Sequence, residues 1–116
     1  MTTKRIITGA HYGTRDWLGQ RFTAVILVLY TLYLLFSVLT VPTLSYGTWY
    51  GLFLSPFMKI ATLLAMLALL YHAWVGIRDV LMDYIRPTWI RLLLETATVV
   101  LLVGYAFWAV IILWRV

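Results

Sequence analysis

Three long apolar stretches constrain this chain more than any other feature. They cover residues 22–41, 60–77 and 96–113, and each is close to the roughly 20 residues that a helix needs to cross a bilayer. Of the 116 residues, 64% are hydrophobic and only 11% are charged, too few to cover a water-soluble surface. The sequence therefore predicts an all-α integral membrane protein, a bundle of three transmembrane helices without a soluble domain.

The residues that flank these stretches predict where the helices begin and end. The first predicted helix begins at about Trp17 or Arg21, covers residues 21–41 and ends before Pro42, because the residue before a proline disfavours helical geometry. The second covers residues 57–85 and ends before Pro87, and the third covers residues 89–114.

Residues 1–20 show no sustained helical period, which predicts an N-terminal arm that a partner would order. The first apolar stretch is longer than the roughly 7–15 residues of a signal-peptide core, and no small-residue cleavage site follows it. We therefore expect it to be retained as a membrane helix.

The basic residues divide unequally between the two sides of the predicted bundle. Two of them, Lys59 and Arg115, lie on one side. Seven lie on the other: Lys4, Arg5, Arg15, Arg21, Arg78, Arg86 and Arg91. Since cytoplasmic loops carry the excess of Lys and Arg, this bias predicts a cytoplasmic N-terminus and an external C-terminus. Positive charge at helix ends fits topology and lipid better than nucleic acid, which we do not expect as a partner.

The chain contains no cysteine, which excludes disulfides, thiolate metal sites and iron–sulfur clusters built from its own side chains. Redox chemistry here would need another kind of ligand or another chain.

The second predicted helix carries an unusual polar face. His72, Gly76, Asp79 and Asp83 are spaced i, i+4, i+7 and i+11, so they lie on one side of the helix. Ionisable side chains within a membrane helix rarely face lipid. We name these four residues the polar seam, and we expect it to face protein.

His72 lies six residues before Arg78, about 9 Å deeper in the membrane by helix rise. A neutral imidazole could donate its Nδ1–H to the Ala68 carbonyl and leave Nε2 free to bind a metal, while Gly76 would admit a flat group. The other histidine, His11, lies in the arm, so a six-coordinate haem would need a ligand from another chain. An equally open alternative is that the imidazole only bonds a neighbouring helix and the glycine is a packing notch.

Three further residues are candidates at the cytoplasmic end. Arg21 could hold a haem propionate, although arginines at helix ends commonly set topology alone, and the residues by themselves favour that reading. The Tyr84 hydroxyl could donate to a quinone carbonyl, and Asp83 could orient water or relay protons. The alternative is an interfacial aromatic beside a charge that ends the helix.

Taken together, the motifs HAWVG, DY and RP in the second helix, RFTAVILVLYTLYLL in the first helix and YGTWYGLFLSPFMKIATLLA after it resemble a known family. The chain is similar over most of its length to the small hydrophobic cytochrome b membrane-anchor subunit of proteobacterial succinate dehydrogenase, respiratory complex II. The resemblance implies a subunit of the bacterial inner membrane, within a hetero-oligomeric helical anchor, that lacks catalytic machinery for succinate.

The resemblance also implies residue roles. His72 would be one axial ligand of a b-type haem shared with the companion cytochrome b anchor subunit, Arg21 would contact the propionates, and Gly76 would pack against the ring. Tyr84 and Asp83 would contribute to the ubiquinone site. FAD and iron–sulfur clusters would belong to the flavoprotein and iron–sulfur subunits that the anchor holds at the membrane.

Arg78 and Asp79 place two charges where many relatives of this kind have uncharged residues, so ubiquinone and menaquinone both stay open. Two other functions remain as alternatives: a cofactor-free structural anchor or assembly subunit, and an ion-translocating subunit that uses Asp79, Asp83 and His72 as a relay. The relay is unsupported, because no acid or histidine continues it along the second helix toward the outer face.

Overall fold

The structure, a computed structural model, describes residues 12–116. Within that range the chain forms four helices: α1 (Tyr12–Leu39), α2 (Tyr46–Leu52), α3 (Pro56–Tyr84) and α4 (Thr88–Arg115). The described residues contain no β-strand. Helices α1, α3 and α4 are each long and apolar enough to cross a membrane, which confirms the predicted all-α architecture with three spans.

Helix α1 begins earlier than the sequence predicts. It starts at Tyr12, so residues 12–20, assigned above to the arm, form its first turns. Hydrophobic periodicity could not find these turns, because contacts with α3 support them instead: Asp16 pairs with Arg78. Residues 1–11, with the predicted arm residue His11, lie outside the described part of the chain.

The segment between α1 and α3 contains the short helix α2. A reciprocal capping box begins this helix: the Ser45 hydroxyl accepts from the Thr48 N–H at 3.3 Å, and the Thr48 hydroxyl accepts from the Ser45 N–H at 2.8 Å. The Trp49 ring of this helix meets the ring of Phe53, the residue that follows the helix, edge to face, with centroids 5.1 Å apart. The aromatic residues therefore form a small ordered cap over one end of the bundle.

Helix α3 lies in the middle and packs against both α1 and α4. Its buried residues, Met58, Ala65, Ala68 and Val75, recur at intervals of seven and three, the spacing of a helix–helix seam. Small side chains at such positions let two helix backbones approach closely, which is how membrane helices gain packing energy without a hydrophobic driving force.

Polar contacts join α1 to α3 along their length. Near the middle, the Tyr30 and Thr62 hydroxyl oxygens are 2.8 Å apart. Closer to the start of α1 the two helices also approach sterically: a Cβ on Gly19 would lie 2.5 Å from the Tyr71 hydroxyl oxygen, so a larger residue there would displace the Tyr71 ring. In hydrocarbon a hydroxyl group needs a hydrogen-bond partner within the protein. The Tyr30–Thr62 contact and the close approach of Gly19 to Tyr71 therefore fix the register of α1 against α3.

The remaining helix, α4, packs on the other side of α3. Ala109 and Leu113 are its buried residues, and the Lys59 Nζ at the start of α3 donates to the backbone oxygen of Val116 at 2.8 Å. Most other apolar side chains of the bundle are exposed, as expected for surfaces that meet lipid or other subunits.

The packing of Met58 yields a stability prediction. Met58 is 1% exposed, whereas Met66 on the same helix is 39% exposed. Met58→Ala leaves a cavity between helices and should lower the free energy of unfolding by about 2–5 kcal/mol, a larger loss than Met66→Ala gives. Thermal unfolding in detergent measures the difference, and equal losses would contradict the packing described here.

Candidate functional site

The polar contact of His72 lies across the interface with α1. Its Nδ1 is 3.1 Å from the Oγ1 of Thr23, a buried residue whose Oγ1 also lies 2.7 Å from the Gly19 carbonyl oxygen. A carbonyl oxygen can only accept, so we assign the threonine proton to that contact, which leaves the hydroxyl oxygen to accept from Nδ1–H. The neutral ring is therefore the Nδ1–H tautomer, and Nε2 carries the lone pair.

The sequence prediction for this hydrogen bond was wrong in its acceptor. It assigned the Nδ1 proton of His72 to the Ala68 carbonyl one turn earlier, but the structure gives it the Thr23 hydroxyl of α1. The backbone of α3 satisfies its own carbonyls through the helix, and the adjacent helix supplies a better-placed acceptor. The sequence feature that could have indicated this partner is Thr23, a polar residue near the start of the first span.

The ring of His72 borders an open groove on the surface of α3. Within residues 12–116, Nε2 has no hydrogen-bond partner, and the groove of about 360 Å³ is also lined by Gln20, Gly76 and Val80. A Cβ built on Gly76 meets nothing within 4 Å, so space remains beside the ring. The structure thus places the predicted ligand and the predicted glycine along one open surface.

A second cavity, of about 500 Å³, connects His72 to Arg21. Asp16, Gln20 and Asp79 also line it, so several polar side chains face this cavity. The guanidinium of Arg21 is exposed and lies 5.2 Å from the centre of the Trp17 ring, a cation–π contact that holds it at the cavity edge. The predicted haem ligand and the predicted propionate contact therefore open onto the same space.

An ion pair that the sequence analysis missed closes one side of this cavity. Asp16, in the second turn of α1, pairs with Arg78 of α3, and both side chains are about three-quarters buried. The Arg78 Nε and the Gln20 Oε1 are buried without a hydrogen-bond partner among residues 12–116. The sequence analysis placed Asp16 in the N-terminal arm and so gave it no defined position. In the structure α1 begins at Tyr12, and Asp16 therefore lies on the helix that packs against α3.

The two predicted quinone residues lie at the end of α3. Tyr84 is its last residue and is 78% exposed, and Asp83 is also exposed. They lie roughly 17 Å along the helix axis from His72, at about 1.5 Å per residue. The structure does not bring them into the cavity that His72 and Arg21 share.

Exposure along the polar seam changes from one end to the other. His72 and Gly76 are partly covered, whereas Asp79 and Asp83 are exposed. Helix α1 therefore covers only the deeper part of the seam. Within residues 12–116, no three His, Asp or Glu side chains come together in a way that could hold a metal ion.

Three apolar helices with a polar seam on the middle one define a multi-pass membrane subunit, and comparison with known proteins gives its family. The chain matches the succinate dehydrogenase/fumarate reductase transmembrane subunit family over residues 1–113. It therefore belongs to that family, which confirms the resemblance inferred from the sequence.

Individual relatives agree with this assignment. The chain is 41% identical over 102 residues to the succinate dehydrogenase hydrophobic membrane anchor subunit of Coxiella burnetii. The aligned region covers 88% of this chain and 89% of that protein. It is 38% identical over 82 residues to the subunit of the same description from Rickettsia bellii, covering 71% of this chain and 66% of that protein. These relatives support a hydrophobic membrane anchor of the succinate dehydrogenase type.

The Asp16–Arg78 pair yields a prediction that a double-mutant cycle can test. Asp16→Asn leaves a mostly buried arginine without its counter-ion, and Arg78→Gln leaves the carboxylate. Each single variant should unfold at a lower temperature, and the double variant should lose less than the sum, with a coupling energy of about 1 kcal/mol. Strictly additive losses in thermal unfolding of the purified protein would show that the pair contributes nothing.

Proposed function

We propose that this chain anchors the flavoprotein and iron–sulfur subunits of a succinate dehydrogenase to the bacterial cytoplasmic membrane, provides one axial ligand to a b-type haem, and contributes to ubiquinone reduction. The observation that carries the redox part is the His72 ring, whose Nδ1 lies 3.1 Å from the Thr23 Oγ1 and which borders an open groove, so that its Nε2 can serve as a ligand. An imidazole that binds iron needs this arrangement.

The residues around His72 fit one edge of a haem. The groove beside Gly76 has room for a flat ring, and one imidazole per chain suffices when a companion cytochrome b anchor subunit supplies the second axial ligand. A bound haem of this type would supply a one-electron carrier inside the membrane. Nearly apolar surroundings would exclude water from the ligand nitrogen and so keep it available to the metal.

Arg21 suits a role in holding a carboxylate. Its guanidinium can form two parallel hydrogen bonds with a propionate, and the Trp17 ring limits the orientations that it samples. One of the two acids that line this cavity, Asp16, is paired with Arg78, so its charge is largely offset. An anion that enters the cavity from the His72 side therefore meets the Arg21 cation without an uncompensated carboxylate at Asp16.

Asp83 and Tyr84 suit a quinone site that other subunits complete. The Tyr84 hydroxyl is exposed at the end of α3, where it can donate a hydrogen bond to a quinone carbonyl oxygen as negative charge develops there on reduction. Asp83 precedes it and can order water that supplies protons. Because both residues are exposed in this chain, we expect the remaining pocket walls to come from the companion anchor and the iron–sulfur subunit.

The orientation follows from the distribution of basic residues. We place the start of α1 and the connection between α3 and α4 on the cytoplasmic side, because seven of the nine Lys and Arg residues lie there. Asp83 and Tyr84 then face the same side as the soluble subunits. Electrons released from succinate would reach this side through the FAD and the iron–sulfur clusters of those partners.

A second function is favoured by one observation. The His72–Thr23 hydrogen bond also ties α3 to α1, which is all that a cofactor-free structural anchor would require of this histidine. The two functions differ in haem content, so a single variant separates them.

Replacing His72 tests the ligand assignment. We expect His72→Gln, which retains length and polarity but lacks an imidazole nitrogen, to lose most of the b-type signal in the reduced-minus-oxidised spectrum of the purified complex. Copurification of the flavoprotein and iron–sulfur subunits serves as the control for assembly. An unchanged spectrum in an assembled complex would favour the structural anchor.

Replacing Tyr84 tests the quinone assignment. Tyr84→Phe should lower succinate-dependent ubiquinone reduction about tenfold or more, since a lost hydrogen bond to a charged group is worth about 1.5–3 kcal/mol. Reduction of a soluble dye should be largely retained. Tyr46→Phe is a matched control, because Tyr46 is 80% exposed at the opposite end of the bundle. Equal losses in both assays would instead indicate a defect in assembly.

A further inference from the structure

We infer that Thr23 is a positioning residue for the haem ligand: its hydroxyl selects the tautomer of His72, fixes the plane of the imidazole, and raises the electron density on Nε2. This inference rests on the proposed function, since it requires His72 to be an axial ligand. Thr23 does not itself touch the metal, and it acts entirely through the ring.

The geometry around Thr23 supports the assignment of its hydroxyl proton to the carbonyls of α1. Thr23 is 7% exposed, and its Oγ1 lies 2.7 Å from the Gly19 carbonyl oxygen, 3.2 Å from the Gln20 carbonyl oxygen and 3.1 Å from the His72 Nδ1. Its single proton is shared with the α1 carbonyls, so the oxygen has only lone pairs to offer the ring. A β-branched side chain in a helix is also stiff at χ1, which holds that oxygen in place.

The three groups form a hydrogen-bonded chain that ends at the ligand. Nδ1–H donates to the hydroxyl, and the hydroxyl donates to a backbone carbonyl, so each bond polarises the next in surroundings of low dielectric. When Nδ1–H donates a hydrogen bond, the opposite nitrogen, Nε2, becomes more basic. Other metal-bound histidines gain basicity in the same way when a carboxylate or carbonyl accepts from their free N–H. A more basic axial ligand stabilises the oxidised iron and lowers the reduction potential.

Another threonine of the same helix shows what distinguishes Thr23. The hydroxyl of Thr31 also donates to the carbonyl one turn earlier, the Leu27 oxygen, at 2.7 Å. Thr31 is exposed, however, and within residues 12–116 its oxygen has no second partner. Back-bonding to the helix is therefore common to both residues, and the contact with an imidazole is specific to Thr23.

The test uses the purified complex and three variants. Thr23→Val retains the shape of the side chain and removes the hydroxyl, Thr23→Ser retains the hydroxyl, and Thr31→Val removes the same group where it meets no histidine. The readouts are the haem content per complex, the midpoint potential from a redox titration, and the electron paramagnetic resonance g values of the oxidised haem. A merely structural role for Thr23 would not move the last two.

We expect Thr23→Val to retain haem, raise the midpoint potential and shift the g values, because Nδ1–H loses its acceptor. Thr23→Ser and Thr31→Val should keep the potential and g values of the parent complex. If the valine variant does not assemble, Thr23→Ala takes its place with the same expectation, since the smaller side chain cannot clash.

Two results would overturn the inference. A haem-containing Thr23→Val or Thr23→Ala complex with the parent's potential and g values would show that the hydroxyl does not influence the ligand. A serine variant that shifts as far as the valine variant would show that packing, and not the hydroxyl, is responsible. A parent complex without haem would overturn the proposed redox function itself, so the two failures are distinguishable.

Discussion

A polar group inside a bilayer has to find its hydrogen-bond partner within the protein, and this requirement organises the whole bundle. The backbone meets it by forming long helices. The side chains meet it across the α1–α3 interface, where Tyr30 meets Thr62 and Thr23 meets His72. Each contact fixes the register of the helices, and the one at His72 also prepares the imidazole for the role that we propose.

The sequence predicted the architecture well because apolar length is a strong signal, and Pro87 marked the end of α3 and the start of α4 to within a residue. It did not predict the first turns of α1 or the short helix α2. Contacts with α3 support the first turns of α1, and a local capping box begins α2. Neither kind of contact produces a hydrophobic periodicity in the sequence.

The candidate site was only partly accessible to prediction. The periodicity of α3 placed His72, Gly76, Asp79 and Asp83 on one face, which needs no knowledge of the neighbouring helix. The partner of His72 depends on how α1 is rotated and shifted against α3, which a single helical pattern does not encode. Thr23 therefore emerged only from the packed structure.

The central position of α3 has a consequence for the order in which the protein is built. Every residue to which we assign a role at the haem or the quinone lies on α1 or α3, and α4 packs on the far side of α3. During synthesis on the ribosome, the hairpin of α1 and α3, which carries His72, can enter the bilayer and close before the last span has been translated. A sister chain could then dock on that hairpin while the nascent polypeptide is still unfinished.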